Sequence, residues 1–196
     1  LTQGVFDGAV TIRDLKEHGD FGLGTFDGLD GEMIALDGVF YRAAADGNVT
    51  IADDAMLAPF AVITEFPDEP PFALPALASF TDLTAQLDAH RQSDNLFYAV
   101  RLDGHFTRIK ARSIARQPEG TTLAQAAAGQ SEFTFTDIDA TLVGFWTPAY
   151  ARTINVAGWH VHALTGDRRR GGHVLDVEAE GLQVRMAELA DVRMAI

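Results

Sequence analysis

Three short segments of the chain are predicted to be helical. In the first, Thr11 stands where an N-cap is expected, Asp14 follows three residues later, and Gly19 provides a left-handed stop. In the second, Leu83 and Leu87 lie four residues apart and therefore on one helix face. The pattern thus predicts short helices over residues 11–20, 81–91 and 121–130.

Most of the remaining chain consists of short alternating or apolar runs, which are typical of β-strands. The turn signals LDG and ADGN divide residues 32–52 into a meander of hairpins, and residues 60–66 predict a buried strand. Further along, we predict a turn at Asp103–Gly104 and a hairpin around TGDRRRGG, followed by another strand. The fold class expected is α+β, with strand-rich mixed or antiparallel sheets and few short helices.

A proline-rich segment, PDEPPFALP, and the helix after it separate two strand-rich blocks. We therefore expect two interlocked subdomains that together form one catalytic unit over residues 1–196. We expect residues 1–93 to form a mixed β-sheet with helices, and residues 94–196 to form a β-rich, metal-binding part.

The composition narrows the range of partners. The formal net charge of −13 disfavours nucleic acid and anionic membrane surfaces, and no apolar run approaches the length of a membrane span. The absence of cysteine excludes disulfides, thiolate metal sites and a cysteine nucleophile. The segment LTQGVFDGAV lacks the features of a signal peptide, so we expect a cytoplasmic protein, or alternatively a secreted one whose leader has been removed.

Three of the six histidines lie within the segment WHVHALTGDRRRGGH. Residues two apart in a strand share a face, so His160 and His162 point to the same side. A hairpin that is symmetric about the Asp167–Arg168 bond pairs His162 with His173 and makes His160 a diagonal neighbour. This pattern predicts a metal site in residues 94–196.

Three imidazoles with open remaining positions are the usual protein ligands of a catalytic zinc ion. Iron, manganese, nickel and cobalt are alternatives, because geometry and supply select among them. The other interpretation is that the three histidines are half-exposed strand residues without a ligand. Their convergence on one face, beside glycine-bounded turns, favours a metal.

Candidate polar residues for the same site come from two other segments. The glycine-rich stretch GLGTFDGLDGEM has the wrong spacing for a phosphate-binding loop, but it can deliver Thr25 and Glu32 to a pocket. The segment FTRIKARSIAR places Arg108, Lys110 and Arg112 on one strand face, usually a solvated charged edge. One arginine aimed inward would bind a carboxylate through two hydrogen bonds.

Four segments together resemble the acetolactate decarboxylase family: HGDFGLGTFDGLDGEMIALDG, NLFYAVRLDG, ATLVGFWTPAY and WHVHALTGDRRRGGHVLD. The resemblance covers nearly the whole chain, and the motifs occur in the family's order. It implies a bacterial lyase of acetoin and butanediol metabolism that converts 2-acetolactate, a small anionic substrate, to acetoin and carbon dioxide. It also implies a homodimer and a bound Zn²⁺.

By motif position, the family's zinc ligands correspond to His160, His162 and His173, and its active-site residues to Glu32, Arg112 and Thr25. The family also uses a second glutamate from its C-terminal tail. Glu188 lies too early to match it, and we assign no counterpart.

The chemistry implied is loss of carbon dioxide with the metal as a Lewis acid that stabilises an enediolate. Arg112 then holds the substrate or the enediolate, Glu32 manages the proton, and Thr25 shapes the pocket. Two alternatives are a hydrolase that uses a zinc-bound water, and a β module that binds a metal or ligand without catalysis.

Overall fold

The computed structural model describes residues 5–195, and strands account for about half of them. The helices are α1 (Ile12–Lys16), α2 (Phe80–Asp88) and α3 (Leu123–Ala128). The strands are β1 (Val10–Thr11), β2 (Phe21–Thr25), β3 (Glu32–Leu36), β4 (Val39–Ala43), β5 (Val49–Ile51), β6 (Leu57–Ala58), β7 (Phe60–Thr64), β8 (Phe72–Leu74), β9 (Phe97–Ser113), β10 (Ser131–Thr147), β11 (Gly158–Thr165), β12 (Gly171–Leu189) and β13 (Arg193–Ala195).

The three predicted helices are confirmed, each shorter than its sequence segment. Thr11 caps α1 by accepting a hydrogen bond from the backbone N–H of Asp14, and α2 buries Leu83 and Leu87. Thr122 caps α3 in the same way as Thr11 caps α1. Within residues 5–195, no helix is long and apolar enough to cross a membrane.

A six-stranded sheet follows the order β13-β7-β2-β3-β4-β5. The predicted meander supplies β3, β4 and β5, which pair as consecutive antiparallel neighbours. Asp37 and Gly38 join β3 to β4 with φ angles of 53° and 76°, as a two-residue turn with two left-handed positions requires.

A five-stranded sheet follows the order β11-β10-β9-β12-β8, and β11 also pairs with β12. Strands β9 to β12 therefore close into a ring. All of the described pairings, in both sheets and in the short β1–β6 pair, are antiparallel. The expected strand-rich α+β fold is confirmed, whereas the division near residue 94 stays a prediction.

The predicted turn at Asp103–Gly104 is wrong. Strand β9 runs without interruption through both residues, which pair with Thr141 and Ala140 of β10. The same two residues pair with β12 on the other side. A dipeptide that favours turns is held extended here because neighbours on both edges satisfy its backbone groups.

The two sheets pack face to face, and their contact surface positions the histidines. Leu23, Ile34 and Leu36 of the six-stranded sheet share one buried cluster with Val143 and Phe145 of β10. A separate cluster packs strands of the ring against α2 and includes residues adjacent to the histidines, namely Val161, Ala163 and Val174. Since side chains alternate along a strand, the histidines face the six-stranded sheet.

Candidate metal and active site

The hairpin formed by β11 and β12 has the register predicted from the sequence. His162 pairs with His173, Ala163 with Gly172 and Leu164 with Gly171. The connecting turn is closed by a hydrogen bond from the N–H of Thr165 to the carbonyl of Arg170. Two histidines are thereby fixed side by side on adjacent strands.

The three imidazole rings converge on one point. Nε2 of His160 lies 3.1 Å from Nε2 of His162 and 3.1 Å from Nδ1 of His173. The potential ligand atoms of all three residues lie within 4.8 Å of one another. Each ring therefore directs one nitrogen towards a common centre.

Burial keeps these rings neutral. It lowers the pKa of His160 to about 4, with a smaller contribution from Arg112. Burial, and then the proximity of His160, hold the pKa of His162 and the pKa of His173 well below their usual range. Neutral imidazole is the form that binds a metal ion.

The backbone of β3 determines the tautomer of His162. Nδ1 of His162 lies 2.8 Å from the carbonyl oxygen of Met33. A carbonyl oxygen only accepts hydrogen bonds, so Nδ1 carries the proton and donates it. The lone pair of His162 is consequently on Nε2, the atom that faces His160.

This donor set fits a metal ion. Two nitrogens bound tetrahedrally at about 2.0–2.1 Å from zinc are about 3.3 Å apart, close to the observed spacing. The cluster of His160, His162 and His173 could hold a metal ion.

Glu32 and Arg112 lie beside the histidine cluster. The Oε2 atom of Glu32 is 3.5 Å from Nε2 of His162, and Oε1 is 3.6 Å from a terminal nitrogen of Arg112. Burial raises the pKa of Glu32 from its usual 4.5 to about 7, and the charge of Arg112 opposes this rise. One carboxyl and one guanidinium group thus border the cluster on the side of the six-stranded sheet.

Arg112 differs from the other two cations on its strand face. Arg108 forms ion pairs with Asp176 and Glu178, and Lys110 forms one with Glu132. The side chain of Arg112 donates no hydrogen bond to any of residues 5–195, and its ion-pair contact with Glu32 is long. Its donors are therefore available to a ligand.

Thr25 lies next to Glu32 but contacts the turn before it. The two residues are direct partners in the β2–β3 ladder. The hydroxyl of Thr25 donates a hydrogen bond of 2.8 Å to the carbonyl oxygen of Gly31. In this arrangement, Thr25 holds the peptide that precedes Glu32.

All six residues expected at the site are thus close together. The sequence did not indicate a further group at the site, the carbonyl of Met33, which accepts a hydrogen bond from His162. The remaining histidines with described side-chain contacts lie elsewhere. His90 stacks on Phe72, and His105 bridges Asp137 and Asp139. No sequence signal marks the Met33 carbonyl, because it depends on how the two sheets pack.

Comparison with known proteins identifies relatives over the whole chain. The family model for alpha-acetolactate decarboxylase matches residues 1–196. A protein of that name from Methanosarcina mazei is 48% identical over 181 residues, which cover 92% of this chain and 63% of that protein. Another from Bacillus licheniformis is 36% identical over 197 residues, which cover 100% of this chain and 78% of that protein.

A solved structure supports the same relationship. The crystal structure of alpha-acetolactate decarboxylase from Bacillus subtilis superimposes with a TM-score of 0.92 at 36% identity. The match covers 96% of this chain and 81% of that one. The chain therefore belongs to the alpha-acetolactate decarboxylase family.

Proposed function

We propose that this protein decarboxylates 2-acetolactate to acetoin and carbon dioxide at a metal site formed by His160, His162 and His173. The observation that carries the proposal is the convergence of three neutral imidazoles beside Glu32 and Arg112. Membership of the family supports the choice of substrate.

We propose zinc as the metal, because three histidine nitrogens with open remaining positions are typical of catalytic zinc sites. When bound there, zinc supplies a Lewis acid for the negative charge that remains after carbon dioxide leaves. Elemental analysis of the purified protein, with His162→Ala as the control, tests this choice. We expect one zinc ion per wild-type chain and none in the variant. A different metal bound at one ion per chain overturns the choice of zinc.

Arg112 binds the carboxylate of the substrate. The protein has a net charge of −13, so an anionic substrate requires a local positive group. The guanidinium of Arg112 is 20% exposed and has unused donors in a geometry that matches a carboxylate. It orients the substrate with its hydroxyl and ketone oxygens towards the histidines.

Glu32 holds and delivers the proton. Departure of carbon dioxide leaves an electron pair that the adjacent ketone accepts, and the resulting enediolate must be protonated at carbon. The carboxyl of Glu32 lies between His162 and Arg112, within 3.6 Å of both. Delivery from this one side sets the handedness of the acetoin.

Thr25 keeps the turn in front of Glu32 in place through its hydrogen bond to Gly31. This role agrees with the expectation that Thr25 shapes the pocket, and it does not require contact with the reacting atoms.

The test is incubation of metal-loaded protein with racemic 2-acetolactate, with and without a chelator, followed by measurement of acetoin and its enantiomers. We expect rapid, chelator-sensitive formation of one enantiomer. His162→Ala is the control that removes the metal and the turnover together. Acetoin formation no faster than in buffer, by protein that contains metal, overturns the proposal.

We also propose a homodimer. Three large apolar side chains are exposed in the loop between β10 and β11, namely Tyr150 at 65%, Ile154 at 44% and Val156 at 59%. Removing exposed apolar side chains from water in an interface is favourable. Light scattering after size-exclusion chromatography tests the proposal, and a monomeric mass at micromolar concentration overturns it.

A further inference from the structure

Ser113 follows Arg112 at the end of β9 and connects the two sheets. Its side chain is fully buried, and its hydroxyl donates a hydrogen bond of 2.9 Å to the carbonyl oxygen of Ala43. Ala43 ends β4 and is the direct ladder partner of Glu32. One hydrogen bond therefore joins the residue after Arg112 to the strand beside Glu32.

A second hydrogen bond also joins the end of β9 to the segment before Glu32. The N–H of Gly31 donates a hydrogen bond of 3.0 Å to the carbonyl of Ile114, the residue after Ser113. Gly31 has a φ of 96°, and a Cβ atom there would lie 2.6 Å from the carbonyl oxygen of Ala43. Only glycine permits this approach, which places the peptide before Glu32 against the end of β9.

Arg112 and Glu32 belong to different sheets, so their separation of 3.6 Å depends on how these sheets dock. The hydrogen bond from Ser113 to Ala43 joins the residue next to Arg112 directly to the sheet that carries Glu32. We propose that Ser113 is a positioning residue, which sets Arg112 relative to Glu32 for binding of the substrate carboxylate. This inference rests on the proposed function.

A purely structural role for Ser113 is the competing explanation, and a double-mutant cycle separates the two. If Ser113 acts through Arg112, its removal affects ligand binding only while the arginine is present. If Ser113 stabilises only the fold, its removal has the same effect whether residue 112 is arginine or lysine.

The experiment measures the affinity of metal-loaded protein for 2,3-dihydroxy-2-methylbutanoate, the stable alcohol obtained by reducing the ketone of the substrate. Calorimetry is applied to the wild type, Ser113→Ala, Arg112→Lys and the double variant. We expect Ser113→Ala to raise Kd about tenfold, because small misplacements of a binding group are costly. In the Arg112→Lys background, we expect Ser113→Ala to change Kd by less than about twofold. KM for 2-acetolactate follows the same pattern.

The matched control is Tyr98→Phe at the opposite end of β9. Tyr98 is also buried, and its hydroxyl accepts hydrogen bonds of 3.1 Å from the backbone N–H groups of Gln92 and Ser93. This variant is expected to lower the melting temperature without changing Kd. If Ser113→Ala does not fold, Ser113→Cys replaces it. The increase in Kd is then smaller than the one expected for Ser113→Ala, because the thiol still donates a weak hydrogen bond.

An equal rise in Kd in both backgrounds, or no rise in the wild-type background, overturns the role of Ser113. Wild-type turnover of 2-acetolactate is measured first. Absence of that turnover overturns the proposed function itself, so the two failures are distinguishable.

Discussion

His162 combines a contact that the sequence predicts with one that it does not. The pairing of His162 with His173 follows from the period of a strand and from a symmetric hairpin, and both are local properties. The hydrogen bond from His162 to the carbonyl of Met33 joins residues 129 positions apart. No local pattern specifies it, because it appears only once β3 packs against β11.

Replacement of Glu32 by Gln removes the carboxyl but keeps the volume of the side chain. We expect the variant to retain its metal, because the three histidine nitrogens are unchanged, and to lose about 100-fold or more in kcat. Steady-state rates together with metal content check this. An unchanged rate, or release of the metal, contradicts the role of Glu32 as the proton donor.

Replacement of Arg112 by Lys keeps the charge but removes the planar, two-point donor. The side chain of Arg112 donates no hydrogen bond within residues 5–195, so the folded protein loses little stability. We expect KM for 2-acetolactate to rise about tenfold, with a smaller change in kcat. Arg108→Lys is the control, since Arg108 is already paired with Asp176 and Glu178. Similar increases in KM for both variants would show that Arg112 has no special role.

At the level of elements, two identical dipeptides have different structures. Asp37–Gly38 forms the turn between β3 and β4, whereas Asp103–Gly104 lies inside the long strand β9. The first dipeptide joins two strands that pair with each other, so its turn preference agrees with the fold. The second has β10 on one side and β12 on the other, and this pairing overrides the same preference.

The substitution Gly38→Ala tests the turn. Gly38 has a φ of 76°, and a Cβ atom added there would meet no other atom within 4 Å. Conformational strain, and not a steric clash, is therefore the cost of the methyl group. We expect a loss of about 1–2 kcal/mol in the free energy of unfolding, measured in urea. Gly181→Ala in β12 is the control, because a Cβ there makes an ordinary contact of 3.5 Å with Leu74. Equal losses in the two variants contradict this account of the turn.

At the level of the whole molecule, the candidate site exists because two sheets dock. Glu32 comes from the six-stranded sheet, whereas Arg112 and the three histidines come from the five-stranded one. Patterns within the sequence predict the hairpins and several of the polar residues. The docking itself depends on packing between distant apolar side chains, such as Leu23 of β2 and Phe145 of β10 in one buried cluster, and this packing has no local signature.

Metal binding should therefore stabilise the folded chain. An ion held by His160, His162 and His173 binds residues of β11 and β12 that converge only in the native structure. At a free concentration 100 times Kd, a ligand specific for the native state contributes about 2.7 kcal/mol. For a chain of this size, that corresponds to a rise in melting temperature of about 5–11 °C.

Calorimetric melting with zinc and with a chelator measures this difference, and His162→Ala provides the control. Because His162 supplies one of the three converging nitrogens and fixes its tautomer on Met33, its loss should abolish most of the zinc-dependent shift. An equal shift in the variant would mean that zinc stabilises the protein from another place. A shift seen in the wild type and lost in the variant ties the stability of the hairpin to the three side chains that we propose as metal ligands for the reaction.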